Sequence, residues 1–138
     1  MQKVSFIVGE DSYEKFMMSV ILGTTGAAMD TEMNFFFTFF GLKLLKKSFR
    51  PKVAGMPFPM KGMAAGMFRA KMKKFGMEDP WGLVKDAVEE GKLKLYACDM
   101  TRQMLGIKME DMHDFVEKEP VGAGAFLEIA DGGRIVSL

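Results

Sequence analysis

Residues 33–40 read MNFFFTFF, a near-continuous apolar run that decides the fold. A strand with one solvated face alternates apolar and polar residues, whereas a strand buried on both faces does not alternate. The run therefore predicts a central strand of a parallel sheet. Gly41 ends this predicted strand, and a short helix is expected to begin at Leu42.

Shorter patterns on both sides of this run alternate between strands and helices. Further strands are predicted at residues 3–8, 93–97 and 134–138. Helices are predicted at residues 11–28 (opened by an Asp11 and Glu14 capping box), 59–74, 79–91, 99–105, 108–118 and 122–130. Alternation of this kind is typical of α/β proteins. We therefore expect a three-layer α/β/α sandwich with a mainly parallel sheet of about five strands, in one domain spanning residues 1–138.

The composition excludes several classes of protein. The chain has 138 residues, 49% of them hydrophobic and 27% charged, with one Cys and one His. A single Cys cannot form an intrachain disulfide, and together with His113 it cannot supply a four-ligand Cys/His metal site. We therefore expect no metal and no cofactor, and Cys98 is the only thiol. His113 is expected to be a partly buried helix residue rather than a catalyst.

The charges are distributed unevenly although the net charge is only +1. Between Met33 and Met77 the chain carries ten Lys and Arg residues and no Asp or Glu. The rest of the chain holds nine basic residues against all 18 acidic ones. This division favours an anionic partner for the middle segment. The alternatives are a solvated surface and neutralisation by the acidic part of the same fold. No nucleic-acid-binding motif is present, so no nucleic-acid partner is expected.

The segment 51–77 is rich in Met as well as in basic residues. Met60, Met63 and Met67 share one face of the predicted helix. Met is flexible and adapts to varied apolar surfaces, so the segment is a candidate for binding an acidic partner or a negatively charged membrane surface. The alternative is that these side chains fill the core or a homo-oligomer interface. Cu(I) binding by Met is not needed to explain the spacing.

The N-terminal residues carry no pattern of a signal peptide, and no run of about 20 apolar residues occurs. The expectation is a soluble protein of the reducing cytoplasm, with peripheral membrane contact through residues 51–77 as a variant of it.

Cys98 is the strongest candidate for chemistry, because it lies between a predicted strand and a predicted helix. Unpaired backbone N–H groups at a helix start favour the thiolate, which is the reactive form of Cys. The hydroxyl of Thr101 and the backbone N–H groups of residues 99–101, including Met100, are candidate donors to the sulfur. Arg102 would add positive charge, and Asp99 would oppose it. The alternative is that Cys98 is a small buried hydrophobic residue.

Four segments taken in order carry a resemblance to a known family. They are FFTFFGL at 36–42 followed by lysines, the basic segment rich in Met and Gly, ACDM at 97–100 with MLGI at 104–107, and VGAGAFLE at 121–128. Together they resemble the DsrE/DsrF-like family of sulfur-relay proteins, in the branch often labelled peroxiredoxin-like. The resemblance implies a three-layer α/β fold, a homo-oligomer, and a persulfide carried at the Cys98 position.

The resemblance makes a sulfur carrier or sulfurtransferase the leading functional hypothesis. Cys98 would take sulfur from a donor protein and pass it to an acceptor protein, which needs only one Cys because each step is an exchange between thiols. The alternative is a non-catalytic oligomeric module that binds through residues 51–77. A thiol peroxidase that uses Arg102 ranks lower, because the chain has no second Cys to resolve a sulfenic acid.

Overall fold

A computed structural model describes residues 2–54 and 60–138, with side chains from residue 63 onward in the second range. Four strands and five α-helices lie in these ranges. In chain order they are β1 (Lys3–Val8), α1 (Tyr13–Ala28), β2 (Glu32–Phe37), α2 (Met60–Lys73), α3 (Pro80–Glu89), β3 (Leu93–Ala97), α4 (Asp99–Leu105), α5 (Ala123–Ala130) and β4 (Arg134–Ser137). Two 3-10 helices lie at Phe39–Leu45 and Met109–Asp111. The helix predicted at residues 59–74 was expected to begin at Pro59, which lies outside the described residues. Met56 and the side chain of Met60 lie outside them as well.

The strands form one parallel sheet in the order β3-β2-β1-β4. This confirms the predicted α/β fold with a parallel sheet, and four strands in the described residues is close to the five expected. On the outer side of β3, residues 117–121 hydrogen-bond to the strand without forming a strand themselves. The N–H of Glu117 donates to Leu95 O (2.9 Å) and the N–H of Val121 donates to Ala97 O (2.9 Å).

The two faces of the sheet are covered by different helices, which gives the three layers. On the first face, the strands pack with α1 and α3 in the larger core, where the rings of Phe6 and Phe35 stack 4.7 Å apart. On the second face, Phe36 stacks on Phe126 of α5 at 4.6 Å. Strand β2 is therefore buried on both sides, which explains why its sequence does not alternate.

The apolar run of residues 33–40 is not a strand along its whole length. Strand β2 ends at Phe37, and the chain then turns into the 3-10 helix at Phe39, whose φ of 48° is positive. Phe39 and Phe40 are consequently exposed. Hydrophobicity alone could not mark this boundary, because the residues beyond it are as apolar as those within the strand.

Two predicted helix starts can be compared with the structure. At α1 the cap is Ser12, whose hydroxyl accepts from Lys15 N–H (3.2 Å), whereas the carboxylate of Glu14 accepts instead from Ala54 N–H. The predicted capping box is therefore wrong. At α3 the prediction is confirmed, since Asp79 accepts from Gly82 N–H (3.1 Å) and Pro80 is the first helical residue.

The helix predicted at residues 108–118 is wrong. A single 3-10 turn spans Met109–Asp111, and Met112 then forms an antiparallel bridge with Lys46. The N–H of His113 donates to Leu45 O at 3.0 Å, so this segment is extended and pairs with the chain that follows the first 3-10 helix. Tertiary pairing overrides a helical spacing of apolar residues here. None of the helices in the described parts of the chain is long and apolar enough to cross a membrane.

Candidate functional site at Cys98

Cys98 lies immediately beyond the carboxyl end of β3 and is the capping residue of the seven-residue helix α4. Its N–H donates to Phe37 O (3.0 Å), which extends the β2–β3 ladder by one position. On its other side, the N–H of Asp99 donates to Val121 O (3.0 Å). The backbone around the thiol is therefore fixed on both sides by hydrogen bonds to neighbouring segments.

Cys98 faces the second side of the sheet and is 7% exposed. It belongs to the cluster of Phe36, Tyr96 and Phe126, so the expectation that it could be a buried hydrophobic residue is correct as far as burial is concerned. The residues around it are nevertheless not all apolar, because two threonines lie beside it.

Hydrogen bonding makes the thiol of Cys98 more acidic than burial alone would. Burial raises the pKa of Cys98, since a buried anion loses its hydration. Hydrogen bonding from the hydroxyl and N–H of Thr101, the hydroxyl of Thr38 and the N–H of Met100 lowers it. The net result is a pKa below the ordinary value of 9.0, which favours the thiolate.

Thr101 is buried and lies at the centre of this hydrogen-bond network. Its hydroxyl oxygen accepts from Phe39 N–H (3.1 Å) and lies 3.1 Å from the hydroxyl oxygen of Thr38. Thr101 was a sequence-based candidate for a donor to the sulfur, and the structure places it beside Cys98. The sequence analysis missed Thr38. No signal in the sequence pointed to it, because Thr38 lies inside the strand predicted over residues 33–40, whereas β2 ends at Phe37.

The charged candidates Asp99 and Arg102 pair with each other. Arg102 forms an ion pair with Asp99 (3.1 Å), and its guanidinium also lies 3.4 Å from Ile107 O. Gln103 donates to the other carboxylate oxygen of Asp99 at 3.0 Å. The charge of Arg102 is therefore neutralised within α4, and neither Asp99 nor Arg102 contributes to the lowered pKa of Cys98. Met100 contributes its backbone N–H, while its side chain is 69% exposed.

The surface around the site is apolar. Phe39, Met100 and Met104 are all exposed large hydrophobic residues on the two elements next to Cys98. The described residues bring no three His, Cys, Asp or Glu side chains together in a way that could hold a metal ion.

The protein is an α/β sandwich with its thiol just past the carboxyl end of β3. Residues 1–136 match the model of the DsrE/DsrF/DrsH-like family, and the chain belongs to that family.

Two curated proteins resemble it over nearly their full length. The chain is 32% identical to the sulfur carrier protein DsrE2 of Allochromatium vinosum, over 94% of this chain and 92% of that protein. It is 28% identical to the uncharacterized protein YrkE of Bacillus subtilis, over 97% of this chain and 94% of that protein.

Two solved structures share the fold along the whole of both chains. They are MTH1491 from Methanobacterium thermoautotrophicum, a protein of unknown function (TM-score 0.63, 14% identity), and the ychN protein from E. coli (TM-score 0.62, 10% identity). At such low identity the likeness concerns the fold alone.

Proposed function

We propose that the protein carries sulfur as a persulfide on Cys98 and passes it to an acceptor protein. The observation that supports this most directly is the set of hydrogen-bond donors from Thr38, Met100 and Thr101, which lower the pKa of the only thiol. A buried structural Cys needs no such donors. Membership in a sulfur-relay family and 32% identity to a protein named as a sulfur carrier support the same function.

The proposed exchange is a pair of thiolate attacks with no net oxidation. The Cys98 thiolate attacks the outer sulfur of a donor persulfide, R–S–SH, so that a bond forms from Sγ of Cys98 to that sulfur as the donor S–S bond breaks. The donor leaves as RS⁻ with the electron pair of that bond. An acceptor thiolate then attacks the outer sulfur of the Cys98 persulfide and regenerates the Cys98 thiolate.

The chain's own residues serve this exchange by stabilising the anion at each stage. Cys98 is the leaving group in the second step, and a thiol with a lowered pKa leaves faster. Because the chain has no second Cys, no intramolecular disulfide can discharge the persulfide. The free thiol needs a reducing compartment, and we place the relay in the cytoplasm on that ground.

Sulfur transfer from the loaded protein tests the proposal. The protein is incubated with a low-molecular-weight persulfide, freed of the donor, and mixed with a peptide that carries one thiol. We expect the mass of one sulfur atom to move from the protein to the peptide. A Cys98→Ser variant is the matched control. Release of the sulfur only as sulfide, with none on the peptide, would contradict a carrier role.

The exposed side of α2 supports a second candidate function, contact with an anionic membrane surface. The helix buries Ala64 and Ala65, whereas Met63 is 73% exposed and Phe75, just beyond the helix, is 80% exposed. Met67 and Phe68 are exposed as well. Exposed cations are interleaved with these side chains: Arg69, Lys71, Lys73 and Lys74. Apolar side chains that enter a headgroup layer beside cations that reach lipid phosphates are typical of interfacial helices.

Acidic residues neutralise only some of the cations of the basic segment. Among the described cations between Met33 and Met77, Lys73 pairs with Glu78 (3.3 Å), Lys47 with Asp114 (3.6 Å) and Lys43 with Asp11 (4.0 Å), all at exposed or partly exposed side chains. Such exposed pairs are weak and leave the cations available to an external anion.

Flotation with vesicles of phosphatidylglycerol and phosphatidylcholine tests membrane contact. We expect binding at low salt that weakens at high salt, and loss of binding in a Met63→Ser, Met67→Ser variant. A Leu127→Ser variant, changed at an exposed apolar residue of α5, is the control. Equal flotation with purely zwitterionic vesicles, or none with anionic ones, would contradict this second candidate.

We also propose that the protein forms a homo-oligomer through the outer side of α1. Residues 16–29 contain no charged side chain. Met18, Ile21 and Leu22 of α1 and Met29, the residue after it, are exposed and follow helical spacing. A helix face of this kind on a monomer would leave apolar area in water. We expect sedimentation well above the 15.4 kDa of one chain, and a shift toward the monomer for Ile21→Lys. Sedimentation of the unaltered protein as a monomer would contradict the proposal.

A further inference from the structure

Thr38 and Cys98 occupy neighbouring positions at the edge of the sheet. The last register pair of β2 and β3 is Phe37 with Ala97, so the next residues of each strand lie side by side. Side chains alternate along a strand, so Thr38 and Cys98 both follow Phe36 and Tyr96 on the second face. The hydrogen bond from Cys98 N–H to Phe37 O fixes this placement.

The hydroxyl of Thr38 is linked to that of Thr101, which limits where their protons can go. The Phe39 N–H occupies one acceptor position on the Thr101 oxygen, and the Thr38 oxygen lies 3.1 Å from the same atom. Two hydroxyls carry two protons. In the neutral thiol one of these protons bridges the two oxygens, whereas an anionic sulfur accepts from both hydroxyls, each of which lowers the pKa of Cys98.

The backbone at this corner holds the threonine pair in place. Thr38 N–H donates to Val8 O (3.0 Å), and its own carbonyl accepts from Gly41 N–H (3.0 Å). Phe39 has a positive φ, a conformation that residues with a side chain rarely adopt, and it donates to Thr101 from that position. Such outliers persist where the surrounding structure fixes them, often at functional sites.

We infer that Thr38 is a positioning residue, which together with Thr101 holds the sulfur of Cys98 as an anion. The role of this anion in sulfur transfer rests on the proposed carrier function. The effect of Thr38 on the ionisation of Cys98 does not depend on it. Removing the Thr38 hydroxyl leaves Thr101 without its partner and the sulfur with one donor fewer.

The pH dependence of thiolate absorbance tests this inference without any sulfur donor. The titration of Cys98 is the difference between each protein and its Cys98→Ser counterpart. Thr38→Val keeps the side-chain shape, and we expect its midpoint to rise by about half to one pH unit. Below the midpoint this corresponds to about a three- to tenfold loss of thiolate. Thr38→Ser restores the hydroxyl and should titrate as the unaltered protein does. Thr25→Val, at an exposed threonine of α1, is the matched control.

The midpoints of the variants show whether the Thr38 hydroxyl stabilises the Cys98 thiolate. A raised midpoint in Thr38→Val that is absent from Thr38→Ser and Thr25→Val supports the role. An unchanged midpoint in Thr38→Val overturns it, and so does an equal rise in Thr38→Ser, since the hydroxyl would then not be the cause. Sulfur loading is measured separately, so a failed carrier function with a raised Thr38→Val midpoint refutes only the relay.

Discussion

Gly41 lies directly against the end of strand β1. A Cβ on Gly41 would lie 2.1 Å from the carbonyl oxygen of Val8 and 3.2 Å from Glu10 N. Because Val8 O also accepts the N–H of Thr38, the close approach brings the chain after β2 back over β1 and fixes the corner that carries the candidate site. Only a residue without a side chain fits here.

The first prediction concerns this corner. We expect Gly41→Ala to lower the free energy of unfolding by about 3 kcal/mol or more, since the backbone of β1 or of the corner must move. Gly9→Ala is the matched control, because a Cβ there meets nothing within 4 Å. Denaturation with urea measures both variants. Equal stabilities of the two variants would show that the corner is not closely packed.

The second prediction concerns Thr101, which is 2% exposed. Thr101→Val removes the acceptor of the Phe39 N–H and one donor to the thiol of Cys98. We expect a loss of about 1–3 kcal/mol in the free energy of unfolding and a raised pKa of Cys98. Thr101→Ser keeps the hydroxyl, so the pKa of Cys98 should stay close to its unaltered value. A pKa that rises equally in Thr101→Ser would contradict this account of the thiol.

The third prediction concerns His113, whose ring lies 4.5 Å from that of Trp81 and 4.9 Å from that of Phe115. Its Nε2 is buried without a hydrogen-bond partner among the described residues. Burial is the main cause that lowers the pKa of His113 below its ordinary value of 6.5, and the cations Lys47 and Arg50 lower it further, against an opposing effect of Asp114. The folded protein therefore favours the neutral ring.

The sign of the pH effect follows from this preference. Above about pH 6.5 both states hold a neutral ring, and below it the unfolded chain gains a proton that the folded chain resists. Stability should therefore fall as the pH decreases from about 6.5 toward the folded-state pKa. His113→Phe keeps the stacking and should remove this part of the decline when urea denaturation is compared at about pH 7.5 and 5.5. An equal decline in both proteins would refute the assignment.

The sequence predicted the arrangement of β3, Cys98 and α4 correctly because each boundary has a local cause. The strand is short and apolar, Cys98 is extended at the position before the helix, and Gly106 ends the helix in the left-handed conformation with a φ of 66°. Local causes of this kind can be recognised without knowledge of the rest of the fold.

The errors arose where a distant segment decides the local structure. The backbone of Met112 and His113 pairs with that of Leu45 and Lys46, a contact that no spacing within residues 108–118 could indicate. The role of Thr38 likewise depends on the strand order, which places β2 beside β3. Arg102 is a different case, because its partner Asp99 lies three residues away in the same helix and the sequence analysis named it as an opposing charge.

The central claim is that Cys98 accepts sulfur, and intact-mass measurement after incubation with a persulfide donor tests it most directly. We predict that the unaltered protein gains the mass of one sulfur atom, which is removed by a reducing agent, and that Cys98→Ser keeps its fold and gains none. Absence of the added sulfur from the unaltered protein with every donor tried, or equal addition to Cys98→Ser, would contradict the claim.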